Sequence, residues 1–176
     1  MRSLVIHPDD ASTAFLAIIY EGKGWTVPDV QNISKNALKK LIIDHDRIIM
    51  LGHGTASGLI NGYGTAFKID SSYVYLLRDK ICVCVWCNSD EFVEKYKLKG
   101  FYTGMIISEE IEANLFCVNT KTNEIATSNV LIAEAVGKAV EVEAEDMVKV
   151  AKDIYVGEGE VFEFNRQRIY HTDLVV

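Results

Sequence analysis

Leu4-Val5-Ile6, Ile48-Ile49-Met50-Leu51 and Ile81-Cys82-Val83-Cys84-Val85-Trp86 are unbroken apolar runs, each too short for an ordinary helix and each stopped by polar or glycine residues. A strand that is apolar at every position has both faces covered, as in a parallel sheet between helices. Ser3 to His7, ended by Pro8, reads as the first strand, Arg47 to Leu51 as the second and Ile81 to Trp86 as the third, with a further strand from Tyr102 to Ile107. Helical patterns fall between them. Asp9-Asp10-Ala11-Ser12 opens an apolar-periodic stretch carrying Ala14, Phe15, Ile18 and Ile19, which Gly22 and Gly24 stop. Asn32 or Ser34 caps a helix with Ala37, Leu38, Leu41 and Ile42 on one side. Alternation around Asn61-Gly62 predicts a hairpin over residues 58–69, and Asp70-Ser71-Ser72 caps a short helix through Leu77. Phe92, Val93 and Tyr96 mark another short helix, and Ala113 to Phe116 a helix or turn. Helical spacing recurs from Ile125 to about Val142 and again within Glu143 to Ile154, and Val161 to Phe164 reads as a terminal strand or arm. The expectation is one α/β domain over residues 1–176, a three-layer sandwich with a mainly parallel central sheet, in which 143–176 form an extension with no assigned packing.

The chain's 176 residues, 49% of them hydrophobic and only 2 of them proline, are enough for a sizeable core. A net charge of −7 argues against a nucleic-acid-binding face. No apolar run approaches the roughly 18 residues of a membrane span, and residues 1–6 run into Asp9-Asp10 instead of a signal-peptide core, so a cytoplasmic protein without membrane contact is expected. Cys82 and Cys84 share one face of a buried strand and read as small core residues. Cys84-x-x-Cys87 lacks the second half of a zinc site, and the glycines from Gly52 to Gly64 fit no phosphate or dinucleotide loop, so neither metal nor cofactor is expected.

Three polar tips stand where strands end: His53, Cys87 and Ser108-Glu109. In parallel neighbours all three lie on one sheet edge, where α/β ligands bind. A thiol beside an imidazole suits nucleophilic catalysis, the sulfur attacking a carbonyl while the ring handles protons. Gly54 lets main chain approach a substrate, and its N–H together with that of Cys87 is a candidate oxyanion donor. Ser108-Glu109-Glu110 reads equally as a helix cap with an acidic first turn. His7 reads as a turn residue that also borders the cleft, and His45 and His171 as solvated.

Residues 48–54 (Ile-Ile-Met-Leu-Gly-His-Gly) with Gly58-Leu59 resemble the strand–His-Gly motif of the caspase-like cysteine peptidases, the superfamily of caspases, clostripain-like peptidases and CHAT domains. Residues 83–89 (Val-Cys-Val-Trp-Cys-Asn-Ser) are similar to its second motif, an apolar strand ending in the nucleophilic cysteine, nearest to the CHAT form. Tyr102 to Glu109 resembles the next strand, whose end lines the substrate groove in clostripain-like members. The resemblance spans roughly residues 1–140. It implies a caspase-like fold and a hydrolase in which His53 is the general base or acid and Cys87 the nucleophile, cleaving a peptide or protein substrate through an acyl-enzyme. Val85 stands two before the nucleophile, where caspases carry Gln and clostripain-like enzymes Asp. Asp90, Glu91, Ser108 and Glu109 are candidates for an acidic groove favouring a basic P1 residue, P1 being the substrate residue before the cleaved bond. The alternative is a catalytically inactive interaction or regulatory module of the same fold, to which Trp86, in place of a small residue before Cys87, points.

Overall fold

A computed structural model describes residues 1–62, 66–121 and 123–172. In chain order these contain β1 (Ser3–Ile6), a 3-10 helix (Ala11–Ile19), α1 (Lys35–Asp44), β2 (Arg47–Leu51), β3 (Gly54–Thr55), β4 (Gly58–Ile60), β5 (Phe67–Ile69) and α2 (Val74–Leu77). Then follow β6 (Ile81–Val85), α3 (Ser89–Tyr96), β7 (Lys99–Thr103), α4 (Glu110–Leu115), α5 (Glu124–Ala139), α6 (Met147–Ile154), α7 (Glu160–Arg166) and β8 (Ile169–Thr172). The main sheet has the order β1-β2-β6-β7-β8, parallel except for β8, which runs antiparallel to β7 at the edge.

Successive strand residues point to opposite faces, and the two faces fill different cores. Val5, Ile49, Leu51, Val83, Val85 and Phe101 pack against the 3-10 helix, α5 and α6. Leu4, Ile6, Ile48, Met50, Cys82 and Cys84 pack against α1, α2 and α3 through Leu38, Ile42, Val74, Leu77, Phe92 and Val93. Each such aliphatic side chain contributes about 1.5–3 kcal/mol on leaving water. The result is the three-layer α/β arrangement, with helices on both faces of a mostly parallel sheet. No helix among the described residues is long and apolar enough to cross a membrane.

Local signals explain most elements. The Ser34 side chain accepts the Ala37 N–H and starts α1, and Asp70 does the same for the 3-10 turn Ser71–Tyr73 that leads into α2. Asp10 accepts the Ser12 N–H at the head of the segment expected as an α-helix, which winds instead as a nine-residue 3-10 helix. The hairpin forms between β4 and β5 and gains β3 as a third strand; Tyr63, Gly64 and Thr65 of its expected turn lie outside the described residues.

Three expectations are corrected. The strand expected over 102–107 is β7, shifted to Lys99–Thr103. Its second residue, Gly100, has φ +124°, and a Cβ there would lie 2.1 Å from the Cys82 carbonyl oxygen. A glycine at a strand start conceals the strand from a reading based on apolar side chains. Residues 161–164 form the first turn of α7 rather than a strand: Val161, Phe162 and Asn165 are buried on one side, and Glu124 accepts the Val161 N–H. His45 is buried, its Nδ1 2.7 Å from the Leu41 carbonyl oxygen and its Nε2 2.8 Å from the Thr26 hydroxyl.

Residues 143–172 pack onto the sheet. Met147, Ala151, Tyr155, Phe162 and Ile169 belong to the core beneath α5, and β8 closes one edge. Residues 173–176 of the expected extension lie outside the described residues.

Candidate active site

The register of β2 against β6 pairs Met50 with Cys84 and Leu51 with Val85, and the Gly52 N–H extends the ladder to the Val85 carbonyl oxygen at 3.1 Å. Two residues beyond the last pair on each strand come His53 and Cys87. Both line a single narrow cleft, together with Thr13, Phe15, Leu16, Gly52, Val85, Trp86, Thr103, Ile106, Ser108 and Ile132.

His53 is held from the β1 side, because β1 pairs with β2 (Ile6 with Met50) and delivers the head of the 3-10 helix to it. Its Nε2 lies 2.6 Å from the Ser12 hydroxyl oxygen, which in turn lies 2.7 Å from Asp10 Oδ1. Asp10 Oδ1 also accepts the Ser12 N–H at 3.0 Å and sits 4.0 Å from His53 Nε2. Hydrogen bonds from the Ser12 hydroxyl and N–H hold the Asp10 carboxyl below its usual value, so it is ionised at neutral pH. An ionised carboxylate only accepts. The Ser12 hydroxyl therefore donates to Asp10 and accepts from His53, which puts a ring proton on Nε2 and makes Nδ1 the basic nitrogen of the neutral imidazole.

Cys87 follows β6 at a sharp turn, in which Asn88 takes a left-handed conformation (φ 63°) before α3 begins. The Ser89 hydroxyl fixes that turn from below, 2.6 Å from the Thr103 carbonyl oxygen and 3.0 Å from that of Cys84. The thiol faces Glu112, with Sγ 3.9 Å from Oε1. Glu112 Oε2 is anchored by the N–H (2.7 Å) and hydroxyl (3.1 Å) of Ser108 and by the Glu109 N–H (3.1 Å). Burial, and secondarily the Glu112 charge, push the Cys87 thiol up to about 12, so it is protonated at neutral pH.

The other expected site residues are distributed differently. Ser108 lines the cleft. Glu109 is exposed at the head of α4, where it forms the cap, and is not among the residues that line the cleft. Asp90, in the first turn of α3, lies outside the cleft with its Oδ2 facing Gly104, and its buried Oδ1 has no hydrogen-bond partner among the described residues. Gly54 is not among the cleft residues; a Cβ there would lie 2.0 Å from the Trp86 ring, so the residue is small to accept that indole. Trp86 is itself buried, its Nε1 donating to the Thr55 carbonyl at 3.1 Å, which ties the small hairpin to the sheet edge. His7, expected as a turn residue bordering the cleft, lies outside it; its ring nitrogens are 3.1 Å from the Tyr20 hydroxyl and 3.3 Å from that of Thr13. Burial depresses its pKa.

Asp10, Ser12 and Glu112 escaped the sequence reading. The first two were visible as a helix head, yet their nearness to His53 comes from strand pairing. Glu112 belongs to no motif that marks it in the sequence, and its place beside Cys87 comes from the start of α4. No protein-family model and no curated protein matches the chain.

Proposed function

We propose that this chain is a caspase-like cysteine peptidase using His53 and Cys87. The reading is supported above all by register: adjacent parallel strands end in step, and the residues two beyond each end are an imidazole and a thiol bordering one cleft. Because the thiol is protonated at rest, the proposed reaction begins with general-base assistance rather than a preformed ion pair. His53 Nδ1 takes the thiol proton as sulfur bonds to the scissile carbonyl carbon. The imidazolium then returns that proton to the departing amine, leaving a thioester. Water, deprotonated by the same ring, releases the acid and regenerates the thiol. Four free cysteines, two of them in the core, fit a reducing compartment such as the cytoplasm.

A peptide library incubated with the wild type, Cys87→Ala and His53→Ala tests this. Turnover by the wild type that falls about 100-fold or more in both variants supports it; equal turnover by all three rejects the dyad. The carboxylate beside Cys87 favours a second reading, a non-catalytic interaction or regulatory module. That reading holds if the wild type cleaves nothing in the library.

A further inference from the structure

The cleft beside Cys87 has walls from four parts of the fold: Leu16 of the 3-10 helix, Val85 at the end of β6, Ile106 of the segment after β7, and Ile132 of α5. All four belong to one packed core and are at most 9% exposed, so the walls are set before anything binds. Among the described residues, no Asp, Glu, Lys or Arg lines the cleft. The acids expected to make it attract a basic group are elsewhere, Glu109 on the surface and Asp90 against Gly104. Glu112, the nearest carboxylate to the thiol, spends one oxygen on three donors and faces Cys87 with the other. An acidic group entering such a cleft loses its water and meets no Lys or Arg, and a basic group meets only the one Glu112 oxygen that lies behind the Cys87 sulfur, whereas an aliphatic or aromatic group gives up no hydration of a charge and gains contacts.

We infer that this cleft is the pocket for the P1 side chain and selects an uncharged apolar residue such as leucine, in place of the acidic or basic residue a charged pocket would choose. The inference rests on the peptidase reading and is tested separately from it. Three peptidyl acyloxymethyl ketones, identical except for Leu, Arg or Asp at P1, are incubated with the full chain. In each reaction the Cys87 sulfur displaces the acyloxy group, a thioether forms and a carboxylic acid leaves. The mass gain is followed over time and the adduct is mapped. The expected result is labelling of Cys87 by the Leu probe at least ten times faster than by either charged probe. An Arg or Asp probe reacting as fast as Leu, or faster, overturns the apolar pocket and leaves the peptidase standing. Absence of a Cys87 adduct from all three overturns both. Ile106→Glu supplies a second readout, with the Arg probe expected to gain on the Leu probe; should that variant fail to fold, the wild-type panel decides alone.

Discussion

Ser12 has one proton to give and lone pairs to offer, and its neighbours fix how they are used: Asp10 takes the proton and His53 Nε2–H fills a lone pair. Ser12→Ala removes this constraint. Nitrogen-15 NMR of the neutral imidazole is expected to show the Nε2–H form in the wild type, a mixture with the Nδ1–H form in Ser12→Ala, and recovery in Ser12→Thr. A wild-type ring protonated on Nδ1 would show that Ser12 does not orient it. At Cys87 the relevant neighbour is a negative charge. Glu112→Gln keeps an acceptor for Ser108 and Glu109 but removes the charge, so the thiol should titrate below about 12. Iodoacetamide labelling of Cys87 at pH 9 is then expected to be faster in the variant, the difference closing as the pH approaches 12; unchanged rates would show that burial alone raises the thiol. His53 and Cys87 are legible in the sequence because each ends an apolar run. Glu112 and Ser12 are not, since their roles depend on where a loop and a neighbouring strand bring them.

The segment from Gly104 to Ser108 illustrates how an element is held without being regular. Gly104 still bonds to β8 through the Arg168 carbonyl, but Ile107 has left the sheet, and its N–H and C=O are taken by the Asn165 side chain at 2.8 and 3.0 Å. Asn165, fully buried, also donates to the Ser128 hydroxyl at 3.2 Å. An asparagine of α7 thus supplies the pairing a strand partner would have given, which is why Met105 to Ile107 looks like strand to a reading of side-chain polarity. Asn165→Ala orphans two buried backbone groups and is expected to cost about 2–4 kcal/mol, measured by urea unfolding; a loss below about 1 kcal/mol would mean that water or another group replaces the amide. The same ambiguity hid α7 itself, because Val161-Phe162-Glu163-Phe164 satisfies a strand alternation as well as one buried helical side.

Across the molecule, the parallel sheet and its two cores were readable because consecutive apolar residues in short runs permit little else. The antiparallel edge strand β8 was not, since Ile169 to Thr172 is half polar and is defined by its pairing with β7. The cores also set a response to pH. Burial raises Cys82 to about 12, and Cys84 well above the ordinary thiol value near 9. Their neutral forms are favoured in the folded state, so the stabilisation is complete below about pH 9 and is lost as the pH rises towards the folded values. Each thiol removes on the order of 1 kcal/mol by pH 10. The thermal midpoint is expected to fall between pH 9 and 10, and less steeply in a Cys82→Ala, Cys84→Ala double variant; equal slopes would assign the alkaline loss to other groups. One stretch of chain has a wider consequence. The 3-10 helix offers Ser12, with its cap Asp10, to the imidazole and Leu16 to the cleft wall, so a shift of its axis alters proton handling and pocket shape at once. Under the proposed peptidase reading, remodelling that helix changes substrate preference and the pH–rate profile in one step, and a change at Ile132, on the helix packed against it, reaches the same two properties.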